Sequence, residues 1–251
     1  MAAIPMAALA QDYTYTTNAD GRTITITGYD GAGGTVVVPG TIDGFTVTVI
    51  GGYAFENFSS LTGVTIPASV TSIGDDAFAF TGLTSVAIPN GVVTIGEAVF
   101  TACSSLASIT VGSGVTHIDD YAFAYCPALA TVLFEGDAPA VGSDLFDSDN
   151  NVMVYYLPET SGWDSTLDGV PVMPVTLMIQ TGDGSFGAVS NQFGFNISGP
   201  TSFMVTIEAT TDFTGSNWSP LQTVTLTNGS YYFSEPWQPN ASARFYRLQL
   251  Q

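Results

Sequence analysis

Apolar positions recur along this chain with one period. From Ile50 the sequence reads IGGYAFENFSSLTGVTIPASVTS, from Ile73 IGDDAFAFTGLTSVAIPNGVVT, from Ile95 IGEAVFTACSSLASITVGSGVTH and from Ile118 IDDYAFAYCPALATVLFEG, so the leading isoleucines lie 23, 22 and 23 residues apart. One slot holds Phe55, Phe78, Phe100 and Phe123, and another holds Leu61, Leu83, Leu106 and Leu129. Val64, Val86, Ile109 and Val132 share a third, and Ile66, Ile88, Val111 and Phe134 a fourth. Alternation in residues 62–67 (TGVTIP) and 84–89 (TSVAIP) predicts a short strand with every second side chain inward. The stretch around each phenylalanine is too short for a stable helix and reads as one turn of 3₁₀ or α structure. One such unit cannot bury enough apolar surface to offset the entropy of ordering it, so neighbouring units must stack into a solenoid.

The ends of the array are atypical, as expected where a coil lacks one neighbour. A weaker copy begins at Val141 (VGSDLF) and runs into the strand-like residues 151–158, and after Gly136 the pattern is lost. Upstream, residues 23–29 and 35–51 read as a first, irregular coil. Beyond residue 174 the texture changes. Six strand-like runs, among them FGFNI, FMVTIEAT and RFYRLQL, are separated by Gly, Asn, Pro and Ser, the pattern of a small antiparallel β-sandwich. The division expected is 1–11 as a signal-peptide remnant, 12–49 as an N-terminal capping coil, 50–171 as the repeat solenoid and 172–251 as the sandwich.

The four long copies resemble the BspA-type leucine-rich repeat family, whose pattern runs close to I-G-x-x-A-F-x-x-C-x-x-L-x-x-V-x-I-P. The resemblance covers about residues 22–158. It departs where Thr81 replaces the usual Cys, Asp119 the Gly and Gly112 the Pro. It implies a mainly β leucine-rich-repeat solenoid with short helical turns, of a kind found in bacterial surface and secreted proteins, with roles in adhesion and protein binding and no reaction. The string IEATTDFTGSNWSPLQTVTL with the closing RFYRLQL resembles small C-terminal β-sandwich modules of exported bacterial proteins.

Charge narrows the partners. Three arginines (Arg22, Arg244, Arg247) face 22 acidic residues, for a net charge of −19, which repels a phosphate backbone. Nucleic acid is therefore excluded, and a protein or a surface glycan is the expected partner. Residues 1–11 (MAAIPMAALAQ) end in A-L-A like the close of a secretory signal without its basic start. No apolar run is long enough for a membrane span. A secreted or cell-surface location follows.

The candidate chemistry is sparse. His117, the single histidine, sits in a slot also held by Ser72, Thr94 and Ala140, and no G-x-S-x-G elbow accompanies it, so no catalytic residue is assigned. Cys103 and Cys126 share one slot of adjacent coils and read as buried thiols or, in an oxidising compartment, a disulfide. Asp75, Glu97 and Asp120 share the slot before the turn and are expected to cap its amide end. Asp147, Asp149 and Asn151 imitate the opening of a calcium loop but lack its Gly and its closing Glu. No cofactor is expected, with calcium a weak alternative. Arg244 and Arg247 are placed to pair with Glu208, Asp212 or Glu235. The binding surface is expected on one face of the solenoid, with Thr65 and Thr110 or Thr71 and Thr116 in its exposed slots and Tyr53, Tyr121 and Tyr125 as aromatic contacts. The competing readings are a structural spacer or envelope component displayed through the C-terminal module, and, more remotely, a hydrolase or carbohydrate-binding protein.

Overall fold

The computed structural model describes residues 12–149, 151–201, 203–212, 217–236 and 243–250. The expected signal remnant lies outside them. The chain forms two compact units, Met1–Pro174 and Val175–Gln251.

In the first unit the coils line up short strands in two parallel ladders, with Leu61–Thr65 of the Ile50 coil paired instead to Gly34–Val37. Phe45–Ile50, Ser72–Ile73, Thr94–Ile95, His117–Ile118 and Ala140–Val141 pair in sequence order. So do Ser85–Ile88, Ser108–Val111, Thr131–Phe134, Met153–Tyr156 and Val170–Pro174. Registers are direct, with Ile88 opposite Val111 and Val111 opposite Phe134. Val86, Ile88, Ile109, Val111, Val132 and Phe134 are buried, as are the leading isoleucines. Parallel stacking of near-identical coils thus places like side chain on like, giving one continuous dry interior.

The phenylalanines form its spine. Phe55, Phe78, Phe100, Phe123 and Phe146 stack at centroid separations of 5.0, 5.4, 6.1 and 5.8 Å. The first end is closed by the antiparallel pair Tyr13–Thr17 and Thr23–Tyr29, whose Tyr29 ring lies 5.3 Å from Phe55. At the other end Trp163 packs on Tyr156 and Phe134, each at 5.1 Å. The copy at Val141 is therefore a complete coil, and Val172–Pro174 pair with Val154–Tyr156 as part of the solenoid.

Between the two ladders, where helical turns were expected, no helix is assigned among the described residues. The backbone makes consecutive turns whose amides alternate in direction. Phe78 and Phe80 donate to the carbonyls of Val99 and Thr101 in the next coil, and Phe100 and Ala102 to Ala122 and Ala124. The intervening Ala77 and Ala79 donate three residues back, to Gly74 and Asp76. Half of the amides thus serve a ladder between coils, which a helix would have kept to itself. The geometry needs two left-handed residues per coil: Tyr53 and Asn57, Asp76 and Phe80, Ala98 and Ala102, Tyr121 and Tyr125, Asp144 and Ser148, with φ from 53° to 65°.

The second unit has two antiparallel sheets. Gln192–Ser198 is flanked by Met178–Gln180 and Gly187–Val189 and by Ser230–Pro236; Met204–Thr210 lies between Ser219–Thr225 and Phe245–Leu250. Phe195, Ile197 and Phe233 from the first sheet and Val205, Ile207 and Val224 from the second share one buried cluster.

Candidate functional site

The ladder of turns carries three rows, of which the first and third face outward and the second is at most half exposed, with Ala79 and Ala124 buried. Counting from each leading residue, the first row is Tyr53, Asp76, Ala98, Tyr121, Asp144; the second is Glu56, Ala79, Thr101, Ala124, Asp147; the third is Asn57, Phe80, Ala102, Tyr125, Ser148. Tyr53, Phe80 and Tyr125 are 61%, 48% and 47% exposed. A large side chain at a left-handed backbone position is disfavoured sterically, and an exposed ring gains little from burial. Packing does not demand the rings, since Asp and Ala also fill the slot of Tyr53, and Asn, Ala and Ser that of Phe80 and Tyr125. Phe80 is the residue that the sequence pattern missed: A-F-A-F reads as two core rings, and only the slot shared with Asn57 and Ala102 marks the second as external.

Carboxylates surround these rings. The Tyr121 and Tyr125 hydroxyls bond the carboxylates of Asp144 and Asp147 and are raised above the ordinary tyrosine range, first by those bonds. Asp76 is raised by burial, then by the charges of Glu56, Asp75 and Glu97. No lysine or arginine lies between Arg22 and Arg244 in the whole sequence.

Two of the acidic residues expected to cap their own turn, Asp75 and Asp120, instead reach along the stack. Asp75 Oδ1 accepts the amide of Glu97 at 3.0 Å, and Asp120 Oδ1 accepts the amide of Ser143 at 2.7 Å. With no helix there is no amide end to cap, and the free donors belong to the next coil. This explains the glycine after the leading residue: a Cβ at Gly96 or Gly142 would collide with those carboxylates. Asp137, Asp168 and Asn90 bond the amides of Ser161, Leu145 and Ser113 in the same manner.

Cys103 and Cys126 are buried free thiols in one interior row. The row is Phe58, Thr81, Cys103, Cys126, Asp149. Cys103 Sγ lies 3.1 Å from Thr81 Oγ1, and Cys126 donates to the Phe100 carbonyl at 3.1 Å. The neighbouring thiol and then burial push Cys126 up. Asp149 is the next rung. Its Oδ1 accepts the Cys126 amide at 2.7 Å, while the buried Oδ2 has no hydrogen-bond partner. Burial pushes its pKa up to about 6.

The residues that imitate a calcium loop face different ways: Asp149 turns into the core, Asp147 meets Tyr125, and Asn151 is exposed. Among the described residues no three of His, Cys, Asp and Glu gather in a way that could hold a metal ion. His117 Nε2 lies 2.9 Å from Asp119 Oδ1 with both side chains about half exposed. Of the threonines, Thr65, Thr71 and Thr116 are exposed, and Thr110 is half-buried. Thr110 has Ala87 on one side and the buried Leu133 on the other.

In the second unit Arg247 sits opposite Glu208 across two strands, 2.6 Å from its carboxylate and 4.5 Å from the Trp218 ring centroid. Arg244 grips Glu235 with two nitrogens at 2.8 and 2.9 Å. Arg244 meets both carboxylate oxygens of Glu235 and Arg247 a single oxygen of Glu208, and both arginines are tied to their own unit. A polar hollow of about 280 Å³ is lined by Thr210, Asp212, Asn217 and Arg244, among others.

Comparison with other proteins gives the following likenesses. No curated protein matches the chain. Among crystal structures, a leucine-rich repeat protein from Bacteroides capillosus is similar at 28% identity over 58% of this chain and 94% of its own, with a TM-score of 0.40. The T. pallidum leucine-rich repeat protein is similar at 24% identity over 53% of this chain and 85% of its own, with a TM-score of 0.38. The pneumococcal vaccine antigen PcpA is similar at 19% identity over 58% of this chain and 48% of its own, with a TM-score of 0.42. Residues 41–153, a little under half of the chain, match the BspA type leucine rich repeat region in six copies.

Proposed function

We propose that this chain is a non-catalytic protein-binding module of the bacterial exterior, exported or held at the cell surface, which engages its partner through the outward rows of the turn ladder. The observation that carries this reading is the set of exposed rings at Tyr53, Phe80 and Tyr125, in slots where other coils carry Asp, Asn, Ala or Ser. Large rings left in water where packing does not require them are candidate contact residues. A stack of coils spreads them over an extended surface, the usual means by which repeat proteins bind. The match of residues 41–153 to BspA type repeats supports the same reading, as does the resemblance of the last 77 residues to modules of exported proteins. In this reading residues 175–251 form a small β-sandwich that serves export or display.

Immobilised collagen, laminin and fibronectin, probed with the full chain by surface plasmon resonance, test the reading. Saturable binding to at least one of them is expected, weakened ten-fold or more by the Phe80→Ser/Tyr125→Ser pair and unchanged by Thr65→Ala on the strand face. Binding to none, or equal binding by both variants, would contradict it.

A further inference from the structure

The rows of the turn face are not uniform. In the first, Ala98 stands between Asp76 and Tyr121, and in the third, Ala102 stands between Phe80 and Tyr125. The coil led by Ile95 is therefore low in both rows, a step bounded by Asp76 and Phe80 on one side and by Tyr121 and Tyr125 on the other. Direct hydrogen bonds from Phe80 to Thr101 and from Ala102 to Ala124 fix the coil spacing here. At about 4.8 Å per coil, the Phe80 and Tyr125 backbones lie about 10 Å apart. That gap admits one side chain between two rings. Ala98, Thr101 and Ala102, all half-buried, form its floor.

The chemistry of the walls selects the occupant. Phe80 and Tyr125 present exposed rings, and a ring face attracts a cation. The nearby ionisable groups Glu56, Asp75, Asp76, Glu97, Asp120, Asp144 and Asp147 are all acidic, and Asp76 is raised in part by its negative neighbours, so the field at the step is uncompensated. An anion is repelled there, and a neutral apolar group leaves the charge unmet. A guanidinium satisfies both walls, because it stacks on aromatic faces while donating to carboxylates.

We propose that this step, resting on the reading of the turn face as the binding surface, is a pocket for an arginine side chain in a basic segment of a protein partner. The two rings sandwich the guanidinium and Asp76 or Glu97 takes its hydrogen bonds.

The test is a titration of the full chain at 0.15 M salt with an acetylated, amidated Ser-Arg-Ser-Arg-Ser peptide, followed by tyrosine fluorescence and heteronuclear NMR. The citrulline counterpart, neutral but of the same shape, is the control. Saturable arginine-peptide binding with shifts centred on Ala98, Thr101 and Ala102 is expected, weakened at least ten-fold for the citrulline peptide. Phe80→Ser and Tyr125→Ser, both exposed and therefore neutral for folding, are each expected to weaken it five-fold or more. Asp76→Asn is expected to weaken it more than Glu159→Gln, which removes the same charge elsewhere. No saturable binding, equal binding of citrulline, or binding indifferent to both ring substitutions would overturn the proposal. If a matrix protein is bound through Phe80 and Tyr125 while the arginine peptide is not, the surface assignment stands and the arginine pocket falls.

Discussion

Phe100→Ala is expected to lower the free energy of unfolding by about 4 kcal/mol, within the range for removing a fully buried aromatic side chain. Phe100 has no exposure and is stacked between Phe78 and Phe123 at 5.4 and 6.1 Å. Its removal opens a cavity in the middle of the spine, and hydrogen bonds between coils on both sides resist collapse into it. The cost falls on two coil interfaces at once, and stability in a stacked array is close to a sum over such interfaces. Phe80→Ala supplies the contrast. That ring is half exposed, and its loss is expected to change stability by less than about 0.5 kcal/mol, as for surface sites generally. Urea denaturation of the two variants measures both, and similar costs would mean that the rows are misassigned.

Asp149→Asn is expected to stabilise the protein at pH 7 by about 2 kcal/mol and to do little near pH 4. The folded carboxyl titrates at about 6, raised by burial, whereas an unfolded aspartate titrates near 3.9. Between those values the folded state holds the proton more tightly than the unfolded state. The group's contribution is therefore fully present below about pH 4 and is lost as pH rises through 6. Above that an ionised carboxylate sits in the core with Oδ2 unpartnered. Asparagine keeps an oxygen for the Cys126 amide, 2.7 Å away, and removes the charge. Denaturation at pH 4.5 and 7 gives the difference between variant and parent at each pH, and a difference that does not grow with pH would refute the assignment.

The repeat was legible because its period is carried by large side chains that have no alternative but the interior. Phe55, Phe78, Phe100 and Phe123 could be aligned by eye, and their stacking follows from the alignment. The next rung was less plain, since Val141 replaces the leading isoleucine and Asp149 occupies the thiol slot, two substitutions at the positions that define the pattern. The residues VGSDLFDSD still align with IDDYAFAYC slot by slot, and that alignment would have placed Phe146 in the spine and Asp149 in the core. The turn segments were misjudged for a different reason. A short A-F run offers amides that look locally unsatisfied, and a helical turn is the nearest local solution. Their partners lie 21 or 22 residues away, at Val99 and Thr101 for Phe78 and Phe80 and at Ala122 and Ala124 for Phe100 and Ala102, and local pattern does not report them. The same cause hid the exposure of Phe80. Both phenylalanines in A-F-A-F donate to the next coil, and Phe80 turns outward at a left-handed backbone position that the stacking of coils imposes.

The coils complete one another through this alternating ladder. Residue-resolved amide hydrogen exchange is its test. The amides of Phe78, Phe80, Phe100 and Ala102 are expected to be as protected as those of the strands Ser85–Ile88 and Ser108–Val111, with exchange limited by unfolding of the stack. Exchange at these four positions at the rate of a frayed, isolated turn, with the strands still protected, would contradict the account.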